Sequence, residues 1–144
     1  MNVRRAEGED RDVLQAWLAD ALSGATGSRT TATSAAERLL SMIRDRPEDL
    51  RIIEVDGRPE GLVKARDTRA TCTFDAVAVR PSARGGGIAA KAILEIEDSS
   101  RASRFVGALA PADGRALYFW LRLGYRPVRR PDGRVEMERR RGQQ

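Results

Sequence analysis

The run Val77-Ala78-Val79 leads through Arg80-Pro81 into Ser82-Ala83-Arg84-Gly85-Gly86-Gly87, and Ile88-Ala89-Ala90 continue with the spacing of a helix. A strand that turns on glycines straight into a helix puts residues without side chains where main-chain N–H groups must approach a ligand closely, and glycine tolerates positive φ. The start of the helix adds unpaired N–H groups and a partial positive charge. Together these make a cradle for a phosphate or pyrophosphate. Each exposed dipole contact is worth ~0.3–1 kcal/mol, so several donors have to converge. The spacing is neither the dinucleotide-binding GxGxxG nor a P-loop ending in Gly-Lys-Ser/Thr.

Other chemistries are excluded by what the chain lacks. It has no histidine and one cysteine, Cys72. That removes Ser-His-Asp and Cys-His nucleophile systems and any internal disulfide, and it leaves no ordinary zinc site, so no metal is expected. Cys72 reads as a small buried residue. The net charge is +5, carried almost entirely by arginine, with Lys64 and Lys91 the two lysines. The densest cluster, Arg126 to Arg141, is interleaved with Asp132, Glu136 and Glu138 and has few aromatics for base stacking. It reads as a solvated surface with a basic, frayed tail over 139–144, which argues against nucleic acid as a partner. No run approaches the ~18 apolar residues of a membrane span. The start Met1-Asn2-Val3-Arg4-Arg5 lacks the apolar core of a secretory signal, so a cytoplasmic location without a membrane partner is expected.

Eleven elements would position the cradle. Asn2–Arg5 reads as a strand, and Val13, Leu14, Trp17, Leu18, Ala21 and Leu22 recur at helical spacing over about 9–22. Ser23–Thr33, rich in Gly, Ser and Thr, reads as a loop, with Ser34 and Glu37 as a capping box for a helix that stops before Pro47. Asp56-Gly57 predicts a tight hairpin between Arg51–Val55 and Glu60–Arg66. In the following strand, Ala70–Val79, alternation sends Phe74, Ala76 and Ala78 to one face and Thr73, Asp75, Val77 and Val79 to the other. A helix over Ile88–Ser100 would face Ile88, Ala92, Ile93 and Ile96 inward and Glu95, Glu97 and Asp98 outward. A strand over Phe105–Ala110, a helix over Asp113–Leu123 and a hairpin about Pro131-Asp132-Gly133 complete the order β-α-α-β-β-β-α-β-α-β-β. This is an α/β (α+β) domain on one mixed, mostly antiparallel sheet of six or seven strands with about four helices.

Arg84-Gly85-Gly86-Gly87-Ile88-Ala89 matches the Q/R-x-x-G-x-G/A signature of the GNAT superfamily of N-acetyltransferases. Downstream, Asp113-Gly114-Arg115-Ala116-Leu117-Tyr118-Phe119-Trp120-Leu121-Arg122-Leu123-Gly124-Tyr125 resembles the family's N-x-x-A-x-x-F-Y-x-x-L-G-F segment. The resemblance implies a single domain over 1–138 that takes acetyl-CoA, or another acyl-CoA, as co-substrate. It implies direct acyl transfer to the amine of a small molecule or peptide. Arg84, Gly85, Gly86, Gly87, Ile88 and Ala89 would hold the pyrophosphate through their main chain. Val77, Ala78 and Val79 would pair with the pantetheine arm, and main-chain N–H groups there would stabilise the oxyanion. Asp113, where the family usually has Asn, reads as a helix N-cap or a coenzyme contact, and Trp120 as core packing or a contact to the coenzyme. A homodimer is left open.

The chain departs from the family pattern at two positions. Trp120 stands where a tyrosine commonly protonates the departing thiolate, and Tyr118 lies about 200° round the helix from it. The family's strand glutamate corresponds to Thr73, which makes Asp75 the candidate general base, or else a carboxylate hydrogen-bonded within the sheet or paired with an arginine. Deprotonating a lysine-like amine at pH 7 costs about 4.6 kcal/mol, an α-amine only about 1 kcal/mol, so a weakly basic amine is the expected acceptor. The alternative function is a CoA-binding domain with weak or no catalysis. A third reading is transfer to a nucleic-acid-linked amine.

Overall fold

The structure, a computed structural model, describes residues 1–26, 29–109 and 114–142. Its elements are β1 (Asn2–Arg5), α1 (Asp10–Gln15), α2 (Leu18–Thr26), α3 (Arg29–Asp45), β2 (Leu50–Val55), β3 (Arg58–Asp67), β4 (Thr71–Val79), α4 (Ile88–Ser99), β5 (Arg104–Gly107), α5 (Gly114–Arg122), β6 (Arg126–Arg129) and β7 (Val135–Arg140). One sheet runs β1-β2-β3-β4-β5-β7-β6. Every pairing is antiparallel except β4 with β5, which are joined through α4.

The sheet separates two apolar layers. On one face α1, α2 and α3 bury Leu14, Leu18, Leu39 and Leu40 against Leu50, Ile52 and Leu62. On the other, α4 and α5 bury Ile93, Ile96 and Trp120 against Ile53, Val63, Phe105 and Met137. The strands β2, β3 and β4 feed both layers because successive side chains point to opposite faces.

Several sequence expectations are corrected. The first helix is broken at Ala16–Trp17, where the Trp17 N–H reaches only three residues back, to the Leu14 carbonyl. The expected loop Ser23–Thr33 is helical in α2 and α3, with Gly27 and Ser28 outside the described residues. Ser34 therefore lies inside α3 and caps nothing. The physical reason is a stripe that begins earlier than Ser34: Ala32, Ala36, Leu39, Leu40 and Ile43 are all buried at helical spacing, and that packing overrides local composition.

The even alternation expected for β4 is interrupted. Lys64 pairs with Ala76 but Ala65 with Phe74, so Asp75 is an extra residue, a β-bulge. Cys72 and Phe74 pack in the α4/α5 layer, whereas Ala78 and its neighbour Ala76 pack in the α1–α3 layer. Val77 therefore shares a face with Phe74 rather than with Thr73.

Glu97 is buried rather than outward. It accepts from the Tyr125 hydroxyl at 2.5 Å and pairs with Arg139 at 3.0 Å. Arg141 donates to the carbonyls of Glu97, Ser100 and Ala102 at 2.9–3.0 Å, closing the C-terminus of α4. Arg139 and Arg140 thus continue β7 beside β5, and the Arg141 N–H donates to the Ser103 carbonyl at 2.7 Å, in place of the frayed tail expected there.

Candidate functional site

β4 and β5 are hydrogen-bonded from Thr71–Arg104 to Phe74–Gly107, and a last bond runs from the Ala108 N–H to the Phe74 carbonyl at 3.0 Å. Beyond this point the two strands part. β4 continues to Val79 with only β3 beside it. The Arg80 N–H donates to the Glu60 carbonyl on the β3 side at 2.9 Å. Main-chain groups alternate in direction along a strand, so those of Val77 and Val79 face away from β3, into the gap.

A single 3-10 turn, Pro81–Ala83, and the glycine loop then lead into α4. Gly85 and Gly87 have φ of 91° and 72°, the left-handed region that disfavours any residue with a Cβ. Gly87 is the N-cap of α4 and supplies no side-chain hydrogen bond to it. The first turn of α4 is therefore left with free amides, and its residues Ile88, Ala89 and Ala90 line the cleft.

The cleft has a volume of about 1170 Å³. Of the residues singled out from sequence, Asp75, Val77, Ala78, Val79, Arg84, Gly85, Gly87, Ile88, Ala89 and Trp120 line it. Gly86 does not, and Asp113 lies outside the described residues. The Arg84 side chain turns away from the loop and donates to the Ala21 carbonyl in α2 at 2.9 Å.

Asp75 sits on the bulge and accepts from Arg66 at 2.6 and 3.2 Å. Pairing with an arginine is the alternative the sequence offers for Asp75, and the structure supplies it in Arg66. The hydrogen bond to Asp75, and the carboxylate's charge, raise the pKa of Arg66. Trp120 is 2% exposed and packs against Phe74, Phe119 and Tyr125 at ring-centroid distances of 5.7, 5.0 and 4.7 Å. Tyr118, 65% exposed, also lines the cleft, with the Arg122 guanidinium 5.9 Å from its ring centre. Ala21 and Leu22, legible only as part of a buried stripe, form the wall on the α2 side.

Cys72 is buried, and burial pushes its thiol up to about 12, far from a nucleophile's range. The C-terminal arginines spend their charge within the fold: Arg130 pairs with Glu136 and Glu138, Arg134 with Asp132, and Arg140 with Glu138. Among the described residues no helix is long and apolar enough to cross a membrane.

The profile of the acetyltransferase (GNAT) family matches residues 13–125, and the chain belongs to that family. Its fold is similar to that of PaiA N-acetyltransferase from Thermoplasma acidophilum, solved in complex with coenzyme A. That match has a TM-score of 0.81 at 14% identity, covering 96% of this chain and 98% of that one. It is also similar to YncA from Salmonella typhimurium, solved with its cofactor acetyl-CoA, with a TM-score of 0.72 at 17% identity over 100% and 95% of the two chains. A third similar structure is the aminoglycoside acetyltransferase AAC(6')-Ib in complex with coenzyme A, with a TM-score of 0.70 at 19% identity over 97% and 94%. A search of proteins with curated functions returns no match.

Proposed function

We propose that this chain is an acyl-CoA-dependent N-acyltransferase that passes an acetyl group directly to the amine of a small molecule or peptide. The observation that carries the reading is one cleft bounded by the uncapped N-terminus of α4 and by the free edge of β4. The amides of the glycine loop and of the first α4 turn suit the diphosphate of a coenzyme. The main-chain groups of Val77 and Val79 suit an amide-bearing arm lying along the strand. An arm entering at the loop and following β4 back toward Phe74 carries its thioester to the bulge.

At that point the free main-chain N–H groups of β4 stabilise negative charge developing on the acyl oxygen, a use of fixed dipoles independent of side-chain identity. Asp75 accepts the proton of the incoming amine, directly or through water, and Arg66 fixes the direction of its carboxylate. General acid–base groups contribute ~10²–10⁴-fold, so loss of a donor at Trp120 slows turnover without removing it. The acceptor is a weakly basic amine, whose deprotonation at pH 7 costs about 1 kcal/mol against about 4.6 kcal/mol for a lysine side chain.

A second reading, coenzyme binding with little catalysis, is favoured by one observation: Asp75 is held by Arg66 while Trp120 brings no hydroxyl to the cleft. The two are separated by a panel of amines assayed for free-thiol release from acetyl-CoA. An enzyme releases thiol with an α-amine or aromatic amine faster than with lysine-type amines, and Asp75→Asn lowers that rate about 10²-fold. Tight acetyl-CoA binding with no release above background on any amine supports the second reading. Full activity in Asp75→Asn removes Asp75 from the chemistry.

A further inference from the structure

The indole of Trp120 lies directly against the main chain of Gly107, the β5 residue opposite Phe74 in the last β4–β5 pair. A Cβ at Gly107 would fall 2.4 Å from Trp120 Cε2 and 2.6 Å from Cδ2, so only glycine leaves room for the ring at this point. The ring is held there on three sides by Phe74, Phe119 and Tyr125. It also lines the cleft, at the place where the two strands separate. Where β4 and β5 last pair, the cleft is therefore bounded on its α5 side by a large, flat, tightly wedged side chain.

We infer that Trp120 sets the length of the acyl group: the wedge of Trp120 on Gly107, backed by Phe74, admits acetyl and shuts out longer chains. The inference rests on the function proposed above, because it takes the thioester to reach the strand junction. A well-packed site yields little to extra methylenes, and one that cannot be accommodated is worth about 10–200-fold in discrimination. Trp120 thereby exchanges the leaving-group role usual at its position for a steric one. Its chemical readout is the acyl donor's size and not the acceptor's identity.

The test needs no acceptor. Binding of CoA, acetyl-CoA and hexanoyl-CoA to the full chain is measured by titration calorimetry, for the wild type and for Trp120→Leu and Trp120→Phe. The wild type should bind acetyl-CoA at least about tenfold more tightly than hexanoyl-CoA. Trp120→Leu should bring the two within about twofold, with CoA titrated alongside so that any change common to all three ligands is divided out of the ratio. If Trp120→Leu does not fold, Trp120→Phe, a smaller ring at the same place, should narrow the ratio in the same direction. Equal binding of both thioesters by the wild type, or an unchanged ratio in the folded variant, overturns the inference while leaving the coenzyme site intact. Failure of CoA and of both thioesters to bind the wild type instead overturns the function on which it rests.

Discussion

The guanidinium of Arg84 and the carbonyl of Ala21 are 2.9 Å apart, joining the glycine loop to α2 across the mouth of the cleft. The bond is charge-assisted and part-buried. It ties the loop proposed to hold the coenzyme to the helix that lines the other side of the cleft. Arg84→Ala should leave the fold cooperative yet weaken acetyl-CoA binding about tenfold, read by calorimetry. Because the arginine acts by holding the loop and not by touching phosphate, the loss should be nearly the same at low and high salt.

Gly87 carries the second expectation. Its φ of 72° is a left-handed conformation that costs a residue with a Cβ ~1–2 kcal/mol, and it is the N-cap of α4 on the wall of the cleft. Gly57, with φ of 78° in the β2–β3 hairpin, carries comparable strain and no wall of the cleft. Gly87→Ala should reduce both melting temperature and coenzyme affinity, the latter about tenfold. Gly57→Ala should reduce melting temperature alone.

How far these features were legible in the sequence depends on the range of the interaction that creates them. The hairpin at Asp56-Gly57 and the glycine loop are local, and both were visible because turn chemistry demands particular residues there. α3 was hidden by its own composition. The burial of Ala32 in the α1–α3 layer decides its start, and nothing near Thr31 or Thr33 announces it. The bulge at Asp75 was invisible because inserting one residue leaves the apolar–polar pattern looking regular while exchanging the faces beyond it. Glu97 looked like an exposed helix residue because its partners, Tyr125 and Arg139, are 28 and 42 positions away. In the candidate site, the glycine loop was readable from local turn chemistry and an arginine partner was one reading of Asp75, whereas Arg66 as that partner emerged only once β3 and β4 were in register.

The Glu97 network yields a stability prediction. Tyr125 is fully buried, and burial together with its bond to Glu97 pushes its phenol far above the usual range, so the hydroxyl is a permanent donor. Tyr125→Phe preserves the ring packing on Trp120 but removes one donor from a buried carboxylate. The expected cost is about 1–3 kcal/mol in urea denaturation, with the slope unchanged. A neutral result would mean that Arg139 alone satisfies Glu97.

Asp10 governs acid stability at the other end of the sheet. Burial alone would push its carboxyl up, but the paired Arg4 guanidinium, at 2.8 Å, and the Glu7 N–H more than offset it and hold the group below the usual carboxylate range. A group depressed in the folded state stabilises the fold above its unfolded pKa near ~3.9 and loses that contribution as pH falls through the folded value. Melting temperature should therefore decline steadily from about pH 4 downward. Asp10→Asn should be less stable at neutral pH and show a shallower acid decline. Identical pH profiles for the two proteins would contradict this role.

The central claim is that the amides at the start of α4 and the open edge of β4 together hold an acyl-CoA. The most direct measurement is a calorimetric titration of acetyl-CoA into the wild-type chain, repeated with S-acetylpantetheine, which lacks the diphosphate. The account predicts one-to-one binding with a Kd between about 1 μM and 1 mM, lost when the diphosphate is absent. No heat at millimolar acetyl-CoA, or equal binding of S-acetylpantetheine, would contradict it.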